Sequence, residues 1–368
     1  MTDETQLDLF KEYQLGPAHL SRVLPLWDLL PLYLYTRRTE LPGDTPIASI
    51  PAVHHTFTSH GETISVDVKP AILRDDPKAP ARIVFPGERE QLVSAALRAL
   101  AVRNAAALGT RHDQKAGLLV TVAFTARQLR AELTETGHTF AHPEIIEALQ
   151  ILAGAIATVE RSQEGQEPIK QPTPYFYSFM SQGDKYIATL NPIESRQILA
   201  GAYRALDYAQ FMELPDPLAR WLFQYIHSEH RGVSKPGEPA RGFNISLDLL
   251  FERGLIAKTR RVRDVIPRVR ASLDLLADAG VLRSSETSPG YREELATKAT
   301  KGRRQIVGAT WTLFVSDRTA ETIIDANTEA KPRRPEFSHL PAEIRLSQAG
   351  PARERLARRP GRFDGRKR

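Results

Sequence analysis

Residues 242–282 read GFNISLDLLFERGLIAKTRRVRDVIPRVRASLDLLADAGVL, and how this stretch folds decides the architecture. A β-prone run, Phe243 to Ile245, gives way at Ser246 to SLDLLFERGL, where a capping hydroxyl precedes a short helical pattern. A longer helix follows. Val262, Ile266, Val269, Leu273 and Leu276 recur at three- and four-residue spacing and form one apolar stripe, which Ala279-Gly280 ends. Lys258, Arg260, Arg261, Arg263, Arg268 and Arg270 fall within thirteen residues. At about 100° per residue all but Lys258 project away from the stripe. One face packs and the other is cationic. A recognition helix has that requirement, because its back is buried while arginine forks reach phosphates and guanine edges in the major groove. Pro267 leaves two arrangements open. Either it lies in the first turn of a helix capped by Asp264, or it kinks a helix that begins near Thr259. In the first, Arg260 to Arg263 sit in a turn that grips backbone, and only Arg268 and Arg270 belong to the helix.

Working outward, DPLARWLFQYIHSE precedes this stretch as a helix, and VLRSS and IVGATWTLFVS follow it as β-like runs. The polar excursion between those runs holds Lys298, Lys301, Arg303 and Arg304, which suit a basic wing tip on the minor groove or the backbone. An earlier segment repeats the order. The strand LLVTVAF runs into TARQLRAEL with Thr125 as cap, and a turn at Gly137 follows. A longer helix then begins near His142, with Pro143 in its first position and Ile145, Leu149, Leu152 and Ile156 on a stripe. The hairpin PYFYSFM, SQGD, KYIATL closes the unit. Phe124 and Ile245, Thr125 and Ser246, and Ile145 and Ile266 all stand 121 positions apart. The shared order of helix, strand, short helix, turn, long helix and β-hairpin is that of a winged helix-turn-helix module. The fold class expected is therefore α+β: two such domains in tandem, with a disordered N-terminal leader and a basic C-terminal tail. The expected boundaries are 1–50 for the leader, 51–192 and 193–317 for the two domains, and 318–368 for the tail.

The first module differs in its charge. Glu144 and Glu147 open its long helix, where they suit the helix dipole and would meet phosphates badly. It is expected to touch DNA through its wing or Arg127 and Arg130, or to offer a protein surface. Upstream, AVHHTFTSHGETISVDV reads as a hairpin and Glu88 to Leu108 as an Ala/Leu helix. Leu20 to Tyr35 is densely apolar, but Pro25 and Pro31 forbid one long helix. Short turns packing on the core or on a second subunit are expected there, which makes the segment a candidate self-association surface.

With 368 residues and 41% hydrophobic side chains, the chain can bury more than one core. It has no uncharged apolar run of about 18 residues, and its acidic, polar start is unlike a secretory signal. A cytoplasmic protein without membrane contact is expected. Zero cysteines exclude disulfides, thiolate zinc sites and thiol nucleophiles. The net charge of +6 conceals an asymmetry: residues 331–368 carry twelve Lys and Arg against four acids, which leaves −2 for residues 1–330. An Arg-, Pro- and Gly-rich segment with few aromatics cannot bury enough surface to fold alone, and it suits contact with phosphates. Catalytic signals are weak. No GxxxxGK[ST] loop and no HExxH motif occurs, and the pairs His54 with His55, His138 with His142 and His227 with His230 lack ligand spacing. On strand Val53 to Thr56 the two imidazoles would point to opposite faces, and Tyr203 and Tyr208 have apolar neighbours. No catalytic residue, metal or cofactor is expected, which sets a relaxase or primase aside and leaves a winged-helix transcriptional regulator or autoregulator as the nearer rival.

One further stretch, Gln6-Leu7-Asp8-Leu9-Phe10, puts three large apolar residues in a polar leader. Alone it reads as a helix start or as a peptide offered to another protein. The order of QLDLF, hairpin plus helix, and two winged-helix units resembles the TrfA-type plasmid replication initiators. LPDPLARWLFQYIHSEH, NISLDLLFERGL and KTRRVRDVIPRVRASLDLLADAGVL look much like that family's C-terminal DNA-binding unit, and the resemblance runs from Thr5 to about Val315. It implies a protein of the bacterial cytoplasm, associated with plasmid or nucleoid, that binds repeats in a plasmid origin, helps open the adjacent DNA and loads host machinery. It implies that Lys258, Thr259, Arg260, Arg261, Arg263, Arg268 and Arg270 contact duplex DNA together with Lys301, Arg303 and Arg304. It implies that Gln6 to Phe10 dock on the beta subunit of the polymerase, the sliding clamp. A host initiator, a helicase and a second copy of the chain are the further partners it implies. Leu20 to Tyr35 has no place in the family's pattern.

Overall fold

Thr125 and Ser246 each close a strand and open a helix, and the chain is arranged around these two points. Thr125 accepts a hydrogen bond from the Gln128 amide at 3.2 Å, while the Gln128 side chain accepts from the Thr125 amide at 2.8 Å. Ser246, in nearly the same extended conformation, accepts from the Leu249 amide at 3.1 Å. The structure is a computed structural model that describes residues 20–23, 27–35, 40–41, 50, 52–59, 61–74, 81–103, 108–114, 116–162, 167–199, 204–259, 261–285, 288–300 and 303–329. The pentad Gln6 to Phe10, Tyr203, Arg260, Lys301 and residues 331–368 lie outside the described residues, as does the side chain of Arg303.

The first half contains β1 (Leu20–Val23), β2 (Glu40–Leu41), β3 (Val53–Ser59), β4 (Glu62–Lys69), β5 (Ala71–Leu73), β6 (Arg82–Val84) and helix α1 (Glu88–Arg103). It continues through β7 (Leu108–Asp113), β8 (Gly117–Thr125), α2 (Ala126–Glu135), α3 (His142–Gly154), β9 (Ile156–Ser162), β10 (Ile169–Pro174), β11 (Phe176–Gln182), β12 (Lys185–Leu190) and α4 (Pro192–Leu199). The second half has β13 (Arg204–Asp207), α5 (Tyr208–Glu213), α6 (Pro217–Glu229), β14 (Phe243–Ser246) and α7 (Leu247–Glu252). A single 3-10 turn (Val262–Asp264) leads into α8 (Ile266–Asp278), and β15 (Tyr291–Thr300), β16 (Arg303–Leu313) and α9 (Asp317–Glu329) follow. The fold is α+β, and the pairings between these strands are antiparallel.

The repeat seen in sequence has a counterpart in topology. One sheet runs β11-β12-β8-β7 and another β15-β16-β14, so in both halves the last hairpin strand pairs with the strand that precedes the short helix. Phe124 and Ile245 are both buried, as are Ile145 and Ile266. The first half carries an insertion between its long helix and its hairpin: β9 and β10 join the β3–β4 hairpin in a sheet ordered β10-β9-β4-β3. Ile156, expected on the long helix, is on β9 because Ala155 is already extended.

Three expectations need correction. First, residues 27–35 of the expected leader are core. The two prolines block a helix, a turn forms in which the Leu30 amide donates to the Trp27 carbonyl at 3.1 Å, and Trp27, Leu29, Leu30 and Leu32 are buried. Trp27 meets Tyr175 edge-on at 5.8 Å, the Tyr175 hydroxyl donates to the Leu32 carbonyl, and Asp28 accepts from Arg98 Nη1 at 2.6 and 2.7 Å. Residues 27–35 therefore pack on the core of their own chain, with Tyr33, Leu34 and Tyr35 partly exposed. Second, the tail does not begin at 318, because α9 buries Ala320, Ile323 and Ala326, and it lies against β13. Third, VLRSS is not a strand: it makes two isolated bridges, Leu282 to Val315 and Ser285 to Ser288. The polar excursion YREELATKAT is the strand, paired with β16 over its whole length.

The two halves share one core. Arg220 on α6 is fully buried; its Nη1 donates to the Leu214 carbonyl at 2.6 Å and its Nη2 to Glu88 on α1. His138 Nε2 donates to the Met212 carbonyl at 2.9 Å. Arg253, just after α7, stands 3.6 Å over the Phe57 ring of β3 and donates to the Leu29 carbonyl at 3.1 Å. No helix among the described residues is long and apolar enough to cross a membrane.

Candidate nucleic-acid interface

Helix α8 starts at Ile266 with Pro267 in its first turn, which settles the two arrangements open in sequence in favour of the first. The flanking residue is Val265, not Asp264, and it makes no side-chain cap; Asp264 belongs to the 3-10 turn before it. Arg268 and Arg270 are therefore the arginines on the helix. Ile266, Val269, Leu273 and Leu276 are buried behind them. Being two residues apart, the two arginines stand about 200° apart around the axis, so they flank the exposed face from opposite sides. Pro267 and Ala271 lie between them and are exposed. The helix is pinned from behind as well: the Ser272 hydroxyl donates to Asp216, which also caps α6 by accepting from the Ala219 amide.

Arg270 is not an independent cation. Its Nε and Nη2 donate to the two oxygens of Glu293 on β15 at 2.8 and 2.5 Å, and the Trp311 indole on β16 donates to the same carboxylate at 2.9 Å. Glu293 and Trp311 face each other in the strand register. Hydrogen bonding from Arg270 holds the Glu293 carboxyl below the usual carboxylate range despite its partial burial. One helical turn further on, Asp274 accepts from the Tyr291 hydroxyl at 2.8 Å. Positions 270 and 274 share a helix face and 291 and 293 share a strand face. Two polar ties therefore fix the angle between α8 and the β15–β16 hairpin.

The other expected contacts surround this unit. Lys258, Thr259, Arg261 and Arg263 are exposed in the segment between α7 and α8, and the 3-10 turn packs against β16. Thr259 Oγ1 donates to the Arg261 carbonyl at 3.1 Å, and Arg263 pairs with its neighbour Asp264 at 3.4 Å. Lys298 and Arg304 are exposed near the far end of the hairpin, where Ala299 faces Arg304 and Lys298 faces Gln305. The structure thus puts Arg261, Arg263, Arg268 and Arg270 on one continuous unit with Lys298 and Arg304.

The first half is built differently. Glu144 turns back on its own helix, accepting from the Ala141 amide at 2.6 Å, and Glu147 pairs with Arg82 at 2.5 Å and Arg89 at 2.8 Å. Burial acts to raise the Glu147 pKa, and the hydrogen bonds from both arginines outweigh it and hold the group low. Glu147 therefore anchors α3 to β6 and α1. Arg127 and Arg130 are exposed on α2. The histidine pairs do not converge. His54 Nδ1 binds Asp67 at 2.7 Å on an open sheet face, His55 packs on Gly254, and His227 is buried, with Nδ1 donating to the Phe223 carbonyl at 2.8 Å. Sequence reasoning missed Glu293, Trp311, Tyr291 and Asp274, because their pairing depends on a hairpin register that no local pattern announces.

No family model matches this chain, and no curated protein matches it. Among solved structures it is similar to domains 2 and 3 of RctB, in crystals of selenomethionine derivatives: 11% identity, TM-score 0.46, with 80% of this chain and 99% of that one covered. A second crystal structure of RctB domains 2–3 is similar at 10% identity and TM-score 0.44, over the same shares of the two chains.

Proposed function

We propose that this protein is a plasmid replication initiator. It binds repeated sequences in duplex origin DNA, promotes opening of the adjacent DNA, and recruits the host polymerase sliding clamp through Gln6 to Phe10. It acts in the bacterial cytoplasm and performs no catalysis of its own. The observation that carries this reading is the α8–hairpin unit: a helix whose back is buried, two arginines flanking its exposed face, and a β-hairpin with Lys298 and Arg304 tied to it at a fixed angle. Helix and hairpin so joined can enter a major groove and touch the neighbouring backbone together. The cationic residues 331–368 add sequence-independent attraction to phosphates. A transcriptional regulator would share the DNA interface, so the clamp peptide separates the two: Leu7, Leu9 and Phe10 can fill an apolar pocket that a regulator does not need.

The test uses two variants of the full chain in parallel. Arg268→Ala is expected to lose about 1–3 kcal/mol of duplex affinity in gel shifts at fixed salt, while clamp binding stays as it was. Leu9→Ala with Phe10→Ala is expected to abolish clamp binding in calorimetry and spare duplex binding. Duplex affinity unmoved by Arg268→Ala contradicts the interface. Clamp affinity unmoved by the double variant leaves the regulator.

A further inference from the structure

The tie between Arg270 and Glu293 uses only part of the arginine. A guanidinium has five N–H groups, and the two-point contact with Glu293 consumes the edge made by Nε and Nη2. The end-on edge, one N–H from each of Nη1 and Nη2, points away from the carboxylate by the geometry of the planar group, and the side chain remains 47% exposed. The support behind it is rigid. Glu293 is 14% exposed and takes a second donor from the Trp311 indole, which is fully buried in the strand register opposite. A free arginine would lose several rotors on binding; one braced in this way has lost them already. The neighbouring Asp274–Tyr291 contact keeps strand and helix from sliding, so the brace holds its direction.

We infer that Glu293 is a positioning residue that sets Arg270 as a fixed two-donor fork for a guanine in the major groove, so that the carboxylate on the hairpin determines part of the sequence preference of the helix. The proposal rests on the duplex-binding reading above and deepens it. Its chemistry is specific: guanine offers two acceptors, O6 and N7, at the spacing of an arginine end-on edge, and no other base offers that pair. The carboxylate also acts electrostatically. A negative charge behind the arginine lowers its attraction for any phosphate, so the braced fork is selective rather than simply adhesive.

The experiment selects from a pool of random-sequence duplexes with the full-length chain and with Glu293→Gln, Arg270→Lys, Arg270→Ala and the Arg270→Ala/Glu293→Gln pair. The parent is expected to enrich a motif with a guanine that Arg270→Ala no longer prefers. Glu293→Gln and Arg270→Lys weaken that one position, lowering the preference for the enriched duplex over a scrambled one by about tenfold. Glu293→Gln also raises affinity for the scrambled duplex, since a negative charge is gone, whereas a merely structural role for the carboxylate would lower both affinities together. In the double variant Glu293→Gln adds nothing to Arg270→Ala. A motif and discrimination unchanged in Glu293→Gln overturn the proposal while leaving duplex binding intact, and so do losses that add in the double variant. If Glu293→Gln does not fold, Glu293→Asp, which keeps the charge and withdraws the brace by one methylene, decides on the same readout: it weakens that guanine position, and a preference unchanged in it overturns the proposal. A parent that enriches no motif overturns the duplex-reading function itself and this inference with it.

Discussion

Glu194, on α4, is enclosed with a formal charge it does not keep. Burial pushes its pKa up to about 8, and the Arg98 guanidinium, itself committed to Asp28, offsets only part of that. Its carboxyl accepts from the Asn191 amide group at 2.6 Å. The folded pKa lies above the ordinary value of 4.5, so the folded chain holds a proton that the unfolded chain releases. The stability this group contributes is complete below about 4.5 and is lost as pH rises to about 8. Glu194→Gln is neutral throughout, so urea denaturation should show it gaining stability relative to the parent between pH 5 and pH 8. A difference independent of pH would contradict that. His227 works in the other direction. Burial lowers it to about 4, so its contribution is present above its ordinary 6.5 and is lost as pH falls toward 4.

Among the elements, the turn after α7 joins the halves through contact at a glycine. Gly254 has φ of +66°, and a Cβ there would stand 2.0 Å from Cε1 of the His55 ring on β3. Gly254→Ala must both strain the backbone and displace the imidazole, at a cost of about 1–3 kcal/mol. A thermal melt with Tm unchanged would show that this contact does not join the halves. The elements also show what the sequence could reveal. The caps at Thr125 and Ser246, the α8 stripe and the hairpin β11–β12 were legible because capping, periodicity and turn chemistry act within a few residues. Strand β15 was not, because its sequence YREELATKAT lacks an apolar-polar alternation and most of the strand is exposed, so its backbone ladder with β16 holds it. The burial of Trp27 to Leu32 was equally hidden: two prolines announce the lack of a helix, and it takes distant partners such as Tyr175, Arg98 and Arg253 to place the segment. In the candidate site, Arg268 and Arg270 could be named from spacing, whereas the partner of Arg270 lies 23 residues away across a register.

Across the whole molecule, charge and packing divide the work. Residues 1–330 carry a net charge of −2, so attraction to DNA over that range depends on local placement, and the cationic excess lies in residues 331–368. The two halves repeat one topology, yet their long helices differ in use: α3 turns Glu144 back on its own N-terminus and spends Glu147 on Arg82 and Arg89, while α8 presents Arg268 and a braced Arg270. The duplex interface proposed above therefore lies on the second half, which Arg220, Arg253 and His138 join to the first. The measurement that tests this most directly is footprinting of the full-length chain on the DNA that flanks its own gene. Direct repeats protected at one face of the duplex, with major-groove guanines shielded from methylation in each, are the expected result. An unprotected duplex, or protection without repeats at the same salt, would contradict it.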